Sequence, residues 1–189
     1  DEVIEKYRTQ SDPILYPDVN WTDLLVSDAS YQTQTNINIS GGTERGKYFF
    51  SAGYFTQDGL FNTDVYDPGY DYQLKYRRYN LRSNFDFNIN KNLKVSFDLS
   101  TQMDDTRGPN WSTSSFMNML VTVPPTISPG VVDNKIVMVP TTAQIPASTP
   151  MVAFIKGNHK DYANFLNGSI RVNYKMDYLT KGLAVRAAI

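Results

Sequence analysis

The stretch Tyr79–Met103, YNLRSNFDFNINKNLKVSFDLSTQM, alternates between apolar and polar side chains over nearly its whole length. It consists of two runs of about ten residues each, joined by the polar residues Lys91 and Asn92. A period of two indicates β-strands, because successive side chains of a strand point to opposite faces. The sequence therefore predicts a hairpin with one apolar and one polar face. Alternation alone leaves open whether the apolar face meets a protein core or lipid.

The same alternation predicts further strands on both sides of this hairpin. In chain order the predicted strands cover about 31–40, 47–57, 77–90, 93–103, 162–175 and 183–189. Their connections alternate between short turns and long loops, and the long loops are 58–76 and 104–160. In an up-and-down sheet, alternate connections lie on the same side. All the short turns are therefore expected at one end of the sheet and both long loops at the other.

Residues 1–30 have a different character and are expected to form a loop segment with short helices. Helical spacing of apolar residues predicts one helix within Asp1–Gln10 and a second within Trp21–Val26, with Asn20 as its cap. A third helix is predicted at Ser112–Val121, inside the second long loop. The chain neither starts with methionine nor shows a signal peptide, so we expect it to be a piece of a longer protein.

Composition excludes several classes of function. The 18 basic residues are balanced by 19 acidic ones, which argues against sequence-independent binding to nucleic acid. There is no cysteine, and His159 is the single histidine, so thiolate chemistry and multi-histidine metal sites are excluded. No apolar run approaches the length of about 18 residues that a membrane-spanning helix needs.

Strand length and loop asymmetry together favour a membrane barrel. The predicted strands are about ten residues long, which suits tilted strands that cross a bilayer, whereas strands of soluble proteins usually have about five or six residues. Short turns at one end and long loops at the other are typical of outer-membrane barrels. We therefore predict an all-β fold, part of a transmembrane antiparallel up-and-down β-barrel with short periplasmic turns and long extracellular loops. The alternative is a soluble β-sandwich that binds carbohydrate.

Several stretches resemble one transporter family in the same order along the chain. The run from Ile39 to Gly59, ISGGTERGKYFFSAGYFTQDG, is similar to the segment SGGTE-x-x-x-Y-x-x-S-x-G-Y-x-x-Q-x-G of SusC/RagA-type TonB-dependent outer-membrane transporters. Further similar stretches are Val19–Asp23, Arg78–Asn84, Asn92–Val95 and Tyr178–Leu183. The resemblance covers nearly the whole chain except the loop from about Asp104 to Lys160.

The resemblance implies a barrel of about 22 strands closed by an amino-terminal plug, of which this chain would supply about six strands and no plug. It also implies import of oligosaccharides or peptides across the bacterial outer membrane, with a SusD-like surface lipoprotein as partner. Energy would come from the TonB complex, which contacts the missing plug region. Such a protein binds and translocates its cargo, so no enzymatic activity, catalytic residue, metal or cofactor is expected. Lipid is the expected neighbour of the apolar strand face, and no nucleic acid is expected as a partner.

Aromatic residues in the two long loops are candidates for contact with cargo or with the partner lipoprotein. Flat aromatic rings stack on sugars and also anchor protein interfaces, although packing within the loops is an equal alternative. These candidates are Tyr66, Tyr70, Tyr72, Trp111 and Phe116.

Other polar motifs are interpreted as structural. Asp104 and Asp105 are expected at the solvated start of a loop, because no further ligands with calcium-loop spacing follow. His159 and Asp161 lack a nucleophile elbow. Gly41 and Gly42 are interpreted as turn residues, because no phosphate-loop lysine follows.

For the Tyr79–Met103 hairpin the prediction assigns both faces. The residues expected to meet lipid are Leu81, Phe85, Phe87, Val95, Phe97 and Leu99, and those expected to face the lumen are Arg82, Asn84, Asp86, Lys94 and Asp98.

Overall fold

The computed structural model describes residues 2–138 and 149–189. Asp1 and residues 139–148 of the predicted second long loop lie outside this part of the chain. The helices are α1 (Glu2–Thr9), α2 (Trp21–Leu25), α3 (Thr113–Thr122) and α4 (Val152–Ile155). The strands are β1 (Gln32–Gly42), β2 (Gly46–Asp58), β3 (Lys75–Asn88), β4 (Leu93–Pro109), β5 (Val131–Val132), β6 (Lys135–Ile136), β7 (Asn158–Lys175) and β8 (Ala184–Ala188).

Six of these strands form one antiparallel sheet in the order β1-β2-β3-β4-β7-β8. Apart from the inserted β5–β6 hairpin, neighbours in the sheet are neighbours in the chain, which is the up-and-down arrangement expected from the sequence. β1 pairs with β2 from Gln32↔Gln57 to Gly42↔Lys47, and β7 pairs with β8 from Arg171↔Ala188 to Lys175↔Ala184. The prediction of an all-β antiparallel sheet is confirmed. Barrel closure and the sides on which the loops lie remain predictions.

The chain divides into two compact units. The sheet unit consists of residues 32–57, 76–106 and 161–189, and the loop unit consists of residues 1–31, 58–75 and 107–160. No local pattern predicts that the amino-terminal segment and both long connections form one compact unit. No helix among the described residues has the length and apolar character needed to cross a membrane.

The short turns of the sheet unit depend on glycine and asparagine. A Cβ atom on Gly42 would lie 2.8 Å from the Cα of Lys47, so the turn between β1 and β2 requires glycine at this position. Asn88 at the end of β3 fixes the same turn, because its backbone N–H donates to the Arg45 carbonyl at 2.8 Å and its side chain donates to the Glu44 carbonyl at 2.7 Å. Gly42 is the last residue of β1 and borders the turn, whereas Gly41 is a paired residue of β1, so the interpretation as turn residues fits only Gly42.

The turn between β3 and β4 is organised by Asn90. Its side-chain oxygen accepts hydrogen bonds from the backbone N–H groups of Asn92 and Leu93, both at 2.9 Å. An asparagine that bonds to the backbone two or three residues further on is a common turn device. The predicted Lys91–Asn92 hairpin is thus present, with Asn90 holding the turn.

A hydrophobic core occupies the loop unit. Its buried members come from all three segments of the unit and are Trp21, Leu25, Phe61, Tyr72, Phe116, Leu120, Met151, Ala153 and Phe154. α2 contributes the first two, and its amino terminus is capped by the side chain of Asn20, which accepts from the N–H groups of Thr22 and Asp23. The predicted cap is therefore observed.

A two-residue hairpin, β5–β6, also lies in the loop unit and has no counterpart in the predicted strands. Its central residues, Asp133 and Asn134, have positive φ values of 50° and 55°, as a type I′ turn requires. Asn134 then joins this hairpin to the first long connection, because its side chain accepts from the Asp67 N–H at 3.0 Å and donates to the Asp67 carbonyl at 3.2 Å.

The strands around the second long connection are longer than predicted. β4 continues to Pro109 and β7 begins at Asn158, so Asp104 and Asp105 lie within a strand and not at the start of a solvated loop as expected. Polar residues occupy consecutive positions here, and the alternation that marks a strand disappears although the backbone pairing continues. The interpretation of this carboxylate pair as a loop start was wrong.

Candidate functional site

Two of the five candidate aromatic residues form part of the core of the loop unit. Tyr72 is 2% exposed and Phe116 is 1% exposed. Tyr72 packs on Phe154 with ring centroids 4.5 Å apart, and Phe116 packs edge-on against Phe61 at 4.9 Å. Neither ring has a free face in this structure, and both pack within the unit.

The other three candidates lie at the edge of this core and keep part of their surface. Tyr66, Tyr70 and Trp111 are half-buried and pack against the core residues. The hydroxyl of Tyr70 donates to the Phe154 carbonyl at 2.6 Å and accepts from the Gly157 N–H at 3.0 Å. Lys156 places its ammonium 4.8 Å from the centre of the Trp111 ring, and the Trp111 indole N–H is buried without a hydrogen-bond partner. The missing partner of the Trp111 indole N–H is an absence among residues 2–138 and 149–189 only. The structure brings the five aromatic residues into one unit, where three of them retain accessible edges.

Burial and hydrogen bonding perturb two ionisable groups of the same loop. Burial, with the nearby carboxylates Asp64 and Asp67 adding to it, raises the pKa of Tyr72 to about 12. The Tyr72 hydroxyl donates to the Tyr66 carbonyl at 2.9 Å, so the neutral phenol is the form that fits. For Asp71, desolvation opposes ionisation, but hydrogen bonds from Lys75 and from the Gln73 N–H outweigh it and lower its pKa.

One face of the sheet unit carries ion pairs that connect neighbouring strands. Asp104 of β4 accepts hydrogen bonds from Arg78 Nε at 2.9 Å, Tyr76 Oη at 3.0 Å and Gln102 Nε2 at 2.9 Å. Further along the face, Asp98 of β4 binds Arg171 of β7.

Nearer the short turns of the same face, Asp86 of β3 binds Lys94 and Ser96 of β4, at 2.9 Å and 2.6 Å. The polar residues assigned to one face from the alternation are thus found together. The roles of Arg78 and Arg171 were not foreseen, because each pairs with a residue distant in sequence.

The opposite face of the sheet unit is apolar and largely exposed. Phe85 lies near its centre, with Phe50 at 5.2 Å and Phe97 at 6.3 Å between ring centroids. Ile37 is 60% exposed and Leu81 is 48% exposed, so the side chains of this face are not buried in a protein core. Other exposed apolar residues of this face are Ile39, Tyr48, Phe50, Tyr79, Phe87, Ile89, Leu99, Met103, Leu166, Ile170, Tyr174 and Val185. A continuous apolar surface of this kind needs a nonaqueous neighbour.

The described residues contain no group of three or more His, Asp or Glu side chains placed to share a metal ion. His159 lies in β7, where its Nδ1 is 3.0 Å from the Pro109 carbonyl oxygen. This contact joins β7 to the end of β4 and gives His159 a structural role within the loop unit.

Comparison with known proteins gives one match in sequence and one in structure. TonB-dependent receptor P26 of Formosa agariphila is 31% identical over 87 residues, which are 46% of this chain and 8% of that protein. The structure of the RagAB peptide transporter matches with a TM-score of 0.63 and 23% identity, over 90% of this chain and 18% of that one. The match in sequence supports the resemblance to TonB-dependent receptors expected above, and the match in structure shows that the chain shares the fold of part of the RagAB transporter.

No protein-family profile matches the chain. The chain spans less than a tenth of the curated relative and less than a fifth of the matched structure. TonB-dependent receptors and the RagAB transporter are outer-membrane proteins of Gram-negative bacteria, which supports the outer-membrane localisation expected from the sequence. The matched proteins are named as a receptor and a transporter, which is consistent with the expectation that the chain is not an enzyme.

Proposed function

We propose that this chain is a section of the wall of a TonB-dependent outer-membrane importer of oligosaccharides or peptides that works with a SusD-like surface lipoprotein. The observation that carries the proposal is the two-faced sheet. One face exposes a continuous apolar surface that includes Ile37 and Leu81, and the other is polar and cross-linked by ion pairs such as Asp98–Arg171. Barrel walls in the outer membrane have this division between lipid and lumen.

A soluble β-sandwich that binds carbohydrate is the competing function, and the apolar face disfavours it. A sandwich buries the apolar face of each sheet against a second sheet about 10 Å away. In this chain the corresponding side chains are exposed, with Ile37 at 60% and Leu166 at 72%. The resemblance in sequence and fold to TonB-dependent proteins favours lipid as the covering medium.

The test uses the full-length protein in its own cells. We expect it to fractionate with the outer membrane, to migrate differently in detergent gels before and after heating, and to lose cargo uptake when the TonB complex is deleted. Recovery of the full-length protein in the soluble fraction without detergent would favour the soluble β-sandwich and contradict the proposed membrane location.

The loop unit is proposed to seat the surface lipoprotein, with Tyr66, Tyr70 and Trp111 as the candidate aromatic contacts for lipoprotein or cargo. Support comes from its own hydrophobic core, which gives the long connections a fixed shape, and from the exposed side chains of Met117 and Val121, one turn apart on α3. Deleting residues 125–150 would remove the buried Ser128 and Thr149 and unfold the unit. A sharper test replaces Met117 and Val121 with serine. Unchanged co-purification of the lipoprotein with this variant contradicts the proposed contact between the loop unit and the lipoprotein.

A further inference from the structure

Three of the arginines on the polar face of the sheet unit line two neighbouring grooves, and they belong to strands β3, β7 and β8. Arg82, Arg171 and Asp98 of the intervening β4 line one groove of about 310 Å³. Arg171 and Arg186 line a neighbouring groove of about 360 Å³. We call Arg82, Arg171 and Arg186 the arginine row.

The charges of this row are only partly compensated. Asp98 is bound by Arg171 and by Ser169, whose hydroxyl donates to it at 3.3 Å. The other carboxylate in the grooves, Asp86, is occupied by Lys94 and Ser96. Within the described residues, Arg82 and Arg186 have neither an ion pair nor a hydrogen bond from their side chains. The grooves therefore carry a local excess of positive charge in a chain whose total charge is nearly zero.

Neutral polar groups accompany the arginines. Asn84 in the first groove and Asn173 in the second each have a buried amide oxygen without a hydrogen-bond partner among the described residues. Asn173 lies directly opposite Arg186 in the register of β7 and β8, so an amide and a guanidinium stand side by side on the same face. An amide oxygen accepts from a hydroxyl, and a guanidinium donates to a carboxylate or to a sulfate ester.

We propose that the arginine row binds the acid group, carboxylate or sulfate ester, of an acidic oligosaccharide that the transporter carries. An acid group binds Arg82 or Arg186, and the adjacent sugar hydroxyls bind polar side chains that line the grooves, such as Ser100 and Asn167. The lining is dominated by Arg, Asn, Asp and Ser, which suits a polyhydroxylated ligand better than the apolar side chains of a general peptide. This inference rests on the proposed function and specifies the class of its cargo.

The experiment measures equilibrium binding to the purified full-length transporter in complex with its lipoprotein. The probes are an oligogalacturonate for the carboxylate, a sulfated oligosaccharide for the ester, a neutral maltooligosaccharide of equal length, and oligoglutamate as an acidic peptide. We expect one of the two acidic sugars to bind, with a Kd that rises with salt. Arg82→Gln or Arg186→Gln should weaken that binding about tenfold, because each removes a charge-assisted hydrogen bond.

The matched control is Lys47→Gln, which removes a positive charge from β2 outside both grooves and should leave the Kd unchanged. Three results overturn the proposal. They are equal binding of the neutral sugar, a Kd that neither arginine substitution changes, and no binding of either acidic sugar. Arginine-dependent binding of oligoglutamate assigns the row to acidic peptides and overturns the sugar class. If one of these results is found and uptake still depends on TonB, the binding role of the arginine row is wrong, while the proposed transport function stands.

Discussion

The ring of Tyr48 on β2 lies across Gly41 on β1, so closely that a Cβ atom at position 41 would come within 2.7 Å of the ring carbon Cζ. The two residues are direct cross-strand partners on the apolar face, near the turn at residues 43–45. An aromatic ring that covers a glycine on the neighbouring strand compensates for the missing side chain there and fixes the register of the pair.

Replacing Gly41 with alanine is expected to push the Tyr48 ring aside and to lower the free energy of unfolding by about 1–2 kcal/mol. The measurement is urea unfolding of the full-length transporter in detergent. Gly168→Ala is the matched control, because a Cβ atom there meets only Leu99 Cδ1 at 3.9 Å and the Asp98 carbonyl oxygen at 4.0 Å. Equal stability of the two variants contradicts the role given to this pair.

Spin labels on adjacent residues test which face of the sheet meets lipid. Labels at Leu81 and Leu99 on the apolar face should be relaxed strongly by oxygen, which concentrates in the bilayer. Labels at Arg82 and Ser100, their immediate neighbours on the polar face, should respond to a water-soluble relaxation agent instead. Equal oxygen accessibility within each neighbouring pair argues against a membrane wall.

The Arg78–Asp104 pair is expected to couple β3 to β4 energetically. Asp104 accepts three side-chain hydrogen bonds, and its own side chain is 16% exposed. A double-mutant cycle with Arg78→Ala and Asp104→Ala should give a coupling energy of about 1 kcal/mol in unfolding measurements. The exposed pair Lys6–Glu2 in α1 serves as the reference, for which the same cycle should give about half that value or less.

Tyr72→Phe is expected to lower the free energy of unfolding by about 1 kcal/mol near pH 8, because the Tyr66 carbonyl loses its donor while the ring stays packed on Phe154. The difference in free energy of unfolding between the wild type and Tyr72→Phe should then shrink as the pH rises. The pKa of Tyr72 is raised to about 12 in the folded chain, so above pH ~10 the unfolded chain releases this proton first and folding loses stability.

The check on this prediction is denaturant unfolding of both full-length proteins from pH 8 to pH 11. Tyr31→Phe, a change at a residue that is 79% exposed, controls for the loss of a phenol. A wild-type advantage that stays constant up to pH 11 contradicts the buried neutral phenol.

Asn20→Ala should destabilise the loop unit by about 1 kcal/mol, because α2 loses the side chain that caps its amino terminus. α2 holds Trp21 and Leu25 in the core, so the effect should appear as faster hydrogen exchange in residues 21–25 and around Phe61. Asn20→Ser, which keeps a capping oxygen, should restore most of the protection.

Much of the sheet follows directly from the sequence, because alternation is a local signal. The hairpin around Lys91 and the two faces assigned to it were predictable for this reason. The β5–β6 hairpin was missed, since two-residue strands show no measurable alternation. Only the turn residues Asp133 and Asn134, which tolerate positive φ, pointed to it.

The core of the loop unit could not be predicted from local patterns. Phe61 and Phe154 pack with ring centroids 5.7 Å apart although 93 residues separate them in the sequence. No periodicity connects such residues, and aromatic residues in a loop are also consistent with ligand contact. From the sequence, Tyr72 and Phe116 were therefore candidates for binding or for packing within the loops, and in the structure both rings pack in the core of the loop unit.

The shared core of the loop unit also limits how its surface can be re-engineered. Three segments, 1–31, 58–75 and 107–160, supply interlocking side chains, so a change in one must match the other two. Transplanting a single connection from a relative would leave Phe61 or Phe154 facing an ill-fitting neighbour. We therefore expect that a change of cargo or partner contacts in the loop unit requires the exchange of all three segments together.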